Sequence, residues 1–144
     1  MKGLIKGILF MMLLTGCQAF HAQEDVKPMA LANNAMINQN VADEAKQIVL
    51  SMEEVVEVKG VNENQNIYLA PQVKHFDRFR LKEIRKQGHD AVKKRFPDAN
   101  VHLSTDKKIF IELEKLEQKL KNKQISEERL KEELKKLEEM MKGS

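Results

Sequence analysis

The sequence predicts an α+β fold: a small αββαβ unit, built as a three-stranded sheet with helices on one face, followed by a C-terminal helical hairpin or one long helix. Three observations predict it. Apolar residues recur at helical spacing over residues 41–52 and 77–96. They alternate at strand spacing over 54–61 and 67–73, with a polar turn between. Two narrow leucine stripes then close the chain.

The first segment is not part of that fold. Lys2 and Lys6 mark a short positive end, residues 8–14 form an unbroken apolar run, and Leu14-Thr15-Gly16-Cys17 follows. This is the order of a secretory leader, and the run is too short to cross a hydrocarbon layer about 30 Å thick. Leu-Thr-Gly-Cys resembles the bacterial lipobox, whose cysteine receives a diacylglycerol and becomes the new N-terminus. Residues 1–16 are thus expected to leave and Cys17 to carry the lipid. An ordinary leader with an incidental cysteine and a retained anchor are the alternatives. Each buried methylene contributes about 0.8 kcal/mol, and one acyl chain alone holds only weakly, so two on one sulfur make the attachment durable. Cys17 is the sole cysteine, so no intramolecular disulfide is available.

Residues 17–40 read as a flexible tether, with Pro28 and the asparagines Asn33, Asn34, Asn38 and Asn40; a short helix over 29–37 is the alternative. The domain proper is expected at 41–122. Val41, Ala45, Ile48, Val49 and Met52 share a helical face, with Asp43 and Glu44 in the first turn. Val56 and Val58 alternate with Glu57 and Lys59 in a first strand. A five-residue polar loop, 62–66, leads to a second strand with Ile67, Leu69 and Val73 on one face and Tyr68, Ala70 and Gln72 on the other. Pro71 removes a ladder donor, so that strand ends or borders an edge there.

Residues 77–96 read as one long helix with Leu81, Ile84, Gly88, Ala91, Val92 and Phe96 in a stripe. Gly88 either permits close approach or is merely tolerated, at about 1 kcal/mol against Ala. Pro97 and Asp98 stop the helix, and 100–104 form a third strand with Val101 and Leu103 inward. Thr105 or Asp106 caps the next helix and Ser126 the last, which spans the 123–144 segment. Leu113, Leu116 and Leu120 on one helix and Leu130, Leu134 and Leu137 on the other form a narrow seam, suited to helix-on-helix packing and to a partner or a second copy.

Functional chemistry is sparse. His21, His75, His89 and His102 form no metal-ligand spacing, the glycines form no phosphate loop, and no serine sits in a nucleophile motif. No catalytic residue, metal or cofactor is therefore assigned. The net charge of +3 falls to about +1 when Lys2 and Lys6 leave. The charge is nonetheless segregated. Arg78, Arg80, Arg85, Lys86, Lys93 and Lys94 make the 77–96 helix basic, a candidate surface for anionic headgroups or an acidic wall polymer. A solvated helix face is the alternative. Nucleic acid is not the expected partner: an exported domain seldom meets it, and the basic helix is read as lacking interleaved aromatic residues.

Four stretches carry a family resemblance: Ala42-Asp43 opening the first helix, Val55-Val56-Glu57-Val58, Ile67-Tyr68-Leu69-Ala70, and the run from Phe96-Pro97-Asp98 through Val101-His102-Leu103-Ser104-Thr105-Asp106. Together with the leader they resemble the YhcN/YlaJ family of sporulation lipoproteins. The chain departs from that pattern in its leucine-rich tail after Asn122 and in lacking a glycine-containing turn before the first strand. The resemblance implies a lipoprotein of endospore-forming Gram-positive bacteria, attached at the spore inner membrane and connected with sporulation or germination. It implies no catalytic residues. The function expected is that of a non-enzymatic interaction module for another envelope protein; binding of a membrane surface or wall polymer is the alternative.

Overall fold

In the computed structural model, which describes residues 37–143, the order is α1 (Asn40–Leu50), β1 (Val55–Glu63), β2 (Asn66–Val73), a 3-10 turn (His75–Arg80), α2 (Leu81–Arg95), β3 (Asn100–Leu103), α3 (Lys107–Lys121) and α4 (Glu127–Lys142). The leader, Cys17, most of the tether and the alternative helix over 29–37 lie outside the described residues.

Helix α1 buries Ala42, Ala45 and Val49, while Val41, Ile48 and Met52 are only partly covered. Its inward face is thus rotated from the expected stripe, because Lys46 is drawn fully inside. Strands β1 and β2 pair antiparallel from Glu63↔Asn66 to Val55↔Val73. The expected five-residue loop is wrong. Only Asn64 and Gln65 turn, and Asn64 takes φ 50°, a conformation asparagine tolerates better than most residues. A bulge between Val55 and Glu57 breaks the alternation, so Val55 and Val58 are buried while Val56 is left 39 % exposed.

The long helix expected over 77–96 is two elements. The apolar stripe begins only at Leu81, and the residues before it wind as a 3-10 turn in which none is buried. Along α2, Ile84, Gly88 and Val92 face the sheet. A Cβ at Gly88 would stand 3.0 Å from Leu103 Cδ1 and 3.5 Å from Met52 Sδ, so the glycine serves close approach. The helix then carries the chain across to β3, which lies parallel to β2 from Asn66↔Asn100 to Leu69↔Leu103. The sheet order is β1-β2-β3.

Alternation along β2 sorts the core. Ile67, Leu69 and Val73 pack with Val49, Ile84 and Val92 from α1 and α2, so both helices of the αββαβ unit lie on one face, as expected. Tyr68 and Ala70 point the other way and meet Ile109, Leu113, Leu116, Leu120, Leu130, Leu134 and Leu137. The two C-terminal helices form a hairpin that covers this second face. Asp106 caps α3 by accepting from Lys108 N–H, and Ser126 caps α4 by accepting from Arg129 N–H. The expectation of a helix-on-helix seam is therefore corrected. A sheet with one face bare offers the leucines a larger apolar surface than a second helix does. All six seam leucines are between 0 and 4 % exposed. Residue 122 is no break in packing, since α3 and α4 share one buried cluster with the sheet.

The two sheet edges differ. On the outer edge of β1, Asn62 N–H donates to Gln39 Oε1 at 2.8 Å and its carbonyl accepts from Gln39 Nε2 at 2.7 Å. Two residues earlier, Gly60 N–H donates to Glu117 Oε1 at 2.8 Å. That same oxygen accepts from Lys46 Nζ at 3.1 Å, joining α1 to α3 across the sheet, with both side chains fully buried. Gly60 has no room for a Cβ, which would sit 2.6 Å from Leu69 Cδ2 and 2.9 Å from the Tyr68 carbonyl. On the other side, β3 ends at Leu103, and Leu69 O accepts from Ser104 N–H. The backbone groups of Leu69 thus face β3, and two residues on those of Pro71 face the same side with no strand beside them. Proline has no N–H to leave unpaired there, so the expectation that it borders an edge holds.

Candidate functional site

The basic segment is only partly a free cationic surface. Arg80 lies within 3.2 to 3.8 Å of Glu83, Glu54 and Asp77. Its bonds to Glu83 raise the guanidinium pKa and lower that of the Glu83 carboxyl. Lys86 pairs with Asp90 at 2.6 Å, and Lys93 donates to the Ala99 carbonyl at the far end of α2. Arg95 is tied to Glu44 of α1. Lys74, Arg78, Lys82, Arg85 and Lys94 pair with no carboxylate among the described residues. Of the six cations singled out, Arg80, Lys86 and Lys93 are thus engaged within the chain, while Arg78, Arg85 and Lys94 are available.

The 3-10 turn that presents Arg78 also presents two aromatic rings to water. Phe76 is 86 % exposed and Phe79 82 %. The expectation that no aromatic residue interleaves with the basic ones fails here: in His75-Phe76-Asp77-Arg78-Phe79-Arg80 the two rings stand among basic residues and one acid. Sequence reasoning missed both rings by treating the segment as a helix and looking for a single stripe. The interleaving itself was the signal. Among the described residues, the other exposed large apolar side chains are Val56 and Ile111. Val56 adjoins the Val55↔Val73 pair, and Ile111 joins Val73, Arg78, Leu81 and Phe110 in lining a groove of about 410 Å³. All four therefore gather at one end of the sheet.

A second hollow, of about 420 Å³, lies near the opposite end, where Asn66, His89, Lys93, Asn100, His102 and Glu138 meet. His102 stacks on Tyr68 with ring centroids 4.7 Å apart and planes 8° from parallel. The Tyr68 hydroxyl donates to Glu138 Oε1 at 2.8 Å, and His102 Nε2 lies 3.3 Å from the same oxygen. Burial and the hydrogen bond to Glu138 push the Tyr68 hydroxyl well above its usual pKa, so it stays protonated and donates. Burial pushes the His102 imidazole down, against the pull of Glu138 upward. The trio fastens α4 to β2 and β3. His75 stands apart on the 3-10 turn, and no metal-holding group of His, Cys, Asp or Glu occurs among the described residues.

No helix among the described residues is long and apolar enough to cross a membrane. The described residues form a small α+β domain with an aromatic and basic end. Among known families, the model for the sporulation lipoproteins YhcN/YlaJ matches residues 16–141. The chain belongs to this family of sporulation lipoproteins. The match begins at Gly16, beside Cys17, and runs through the leucine-rich tail, which is thus within the family pattern and not a departure from it. No curated protein and no solved structure matches the chain.

Proposed function

We propose that this sporulation lipoprotein is a non-enzymatic module held by diacylated Cys17 on the extracytoplasmic face of the spore inner membrane. The observation that carries the reading is the position of Cys17. It directly follows an apolar run and two small residues, at the start of the segment that matches a lipoprotein family. The described domain then supplies a folded body of which α3 and α4 are an integral part. The test is metabolic labelling with a fatty acid, run on wild type beside Cys17→Ala, with fractionation of spore membranes. Label should appear on the wild type in the inner-membrane fraction and vanish from the variant. Label retained by Cys17→Ala, or wild-type protein recovered with an unmodified thiol, overturns the reading.

Between a protein-interaction module and a surface-binding one, the fold favours the second. The leucines once expected to meet a partner are used up inside the chain. The unpaired cations Lys74, Arg78, Lys82 and Arg85 remain, each worth about 1 kcal/mol near an anionic surface.

A further inference from the structure

We propose that the 3-10 turn His75–Arg80 seats the domain on the bilayer: Phe76 and Phe79 enter the interfacial layer while Lys74, Arg78, Lys82 and Arg85 meet anionic lipid headgroups. The inference rests on the reading that Cys17 is acylated, which places a membrane within reach. Cys17 stands twenty residues before Ile37, so the connecting chain spans at most about 70 Å.

Three observations point to lipid as the occupant. The rings are the most exposed of the large apolar side chains described, and they stand three residues apart on one short turn. Their nearest acids, Asp77, Glu83 and Glu54, are drawn together on Arg80, and Lys74, Arg78, Lys82 and Arg85 outnumber the negative charge that Arg80 leaves over. What the turn shows outward is therefore apolar and cationic together, the pairing that fits an anionic interface. The remaining exposed large apolar residues among those described, Val56 and Ile111, adjoin the same end, so the apolar region is continuous with the groove beside Arg78. The diacyl group suffices to hold the protein, and the turn adds orientation: it fixes which end of the domain faces the lipid. The crevice at Glu138 and the hairpin joint then face away.

The chain contains no tryptophan, so one substitution creates a single reporter. Acylated protein carrying Phe79→Trp is reconstituted into vesicles of phosphatidylcholine and phosphatidylglycerol. It is compared with Gln124→Trp in the α3–α4 joint, since α3 runs about 22 Å away from the groove. Flotation with the vesicles first reports the anchor. For Phe79→Trp the expected result is a blue-shifted emission, quenching by brominated acyl chains and several-fold protection from aqueous acrylamide. Gln124→Trp should stay accessible. Adding Arg78→Glu and Lys82→Glu, or omitting phosphatidylglycerol, should reduce the protection. Protein that fails to float refutes the acylation reading itself. Protein that floats with both tryptophans equally open to acrylamide overturns the seating proposal and leaves the anchor standing. Protection seen in native membranes but not in lipid vesicles assigns the turn to a membrane protein, which also overturns it.

Discussion

The two edges of the sheet meet the same problem in opposite ways. A strand edge exposes backbone groups that invite pairing with another chain. Along β1 the edge is sealed by side chains: Gln39 acts as a one-residue strand against Asn62, and Glu117 takes the Gly60 N–H. Along the distal half of β2 no strand among the described residues pairs with the edge; Pro71, itself buried, blunts it and lines the groove, with Phe76 and Phe79 at the same end. The sealed side uses buried polar groups whose loss is costly. The open side keeps apolar groups in water, where the fold gains nothing from them. Stability measurements can separate the two kinds.

The largest effect is expected at Glu117. Glu117→Ala removes the acceptor of Gly60 N–H and a buried partner of Lys46, and should cost about 3–5 kcal/mol in urea unfolding. A loss below 1 kcal/mol would mean that water enters the edge. Burial raises the Glu117 pKa against the pull of Lys46 and Gly60, so the folded state favours the protonated form. That contribution is complete below the ordinary glutamate value and is lost as pH rises through the raised one. Glu117→Gln should flatten this part of the pH–stability profile.

A smaller loss, about 1–3 kcal/mol, is expected for Gln39→Ala, which strands the buried N–H and C=O of Asn62. Light scattering should show faster self-association of that variant, because the edge becomes a template. Unchanged scattering would remove Gln39 as an edge seal. The smallest effect belongs to the open side. Phe76→Ser and Phe79→Ser should each move the unfolding free energy by less than about 0.5 kcal/mol in vesicle-free solution. A loss of 2 kcal/mol or more would show that the rings are packed in solution and would erase the contrast.

Much of the fold was legible, because period carries burial. Ile67, Leu69 and Val73 alternate with Tyr68 and Ala70, and the structure divides them between two clusters in that way. Asp106 and Ser126 were readable as caps from type and position alone. The failures are local and physical. A bulge at Val56 cost the strand its phase, since one inserted residue flips a side chain. The polar residues Asn62 and Glu63 read as loop but belong to the ladder, because their partners, Gln39 and Asn66, are distant or of the same polar kind. Lys46 is charged and fully buried; Asp43 pairs with it locally, but its second carboxylate, Glu117, lies far along the sequence. The candidate surface was half legible. Net charge located the basic segment, but which cations are spent on Asp77, Glu83 and Asp90 depends on side-chain geometry. The rings of Phe76 and Phe79 escaped because a search for one apolar stripe passes over residues that lie off it.

The Lys46–Glu117 contact joins positions separated by 71 residues. A chain delivered N-terminus first presents α1, with Asp43 beside Lys46, then both hairpin strands and α2, long before the second carboxylate, Glu117, arrives. Until then Lys46 lacks one of its two carboxylates and the Gly60 N–H lacks its side-chain acceptor. The last buried polar contacts of the amino-terminal half therefore close only when α3 is in place.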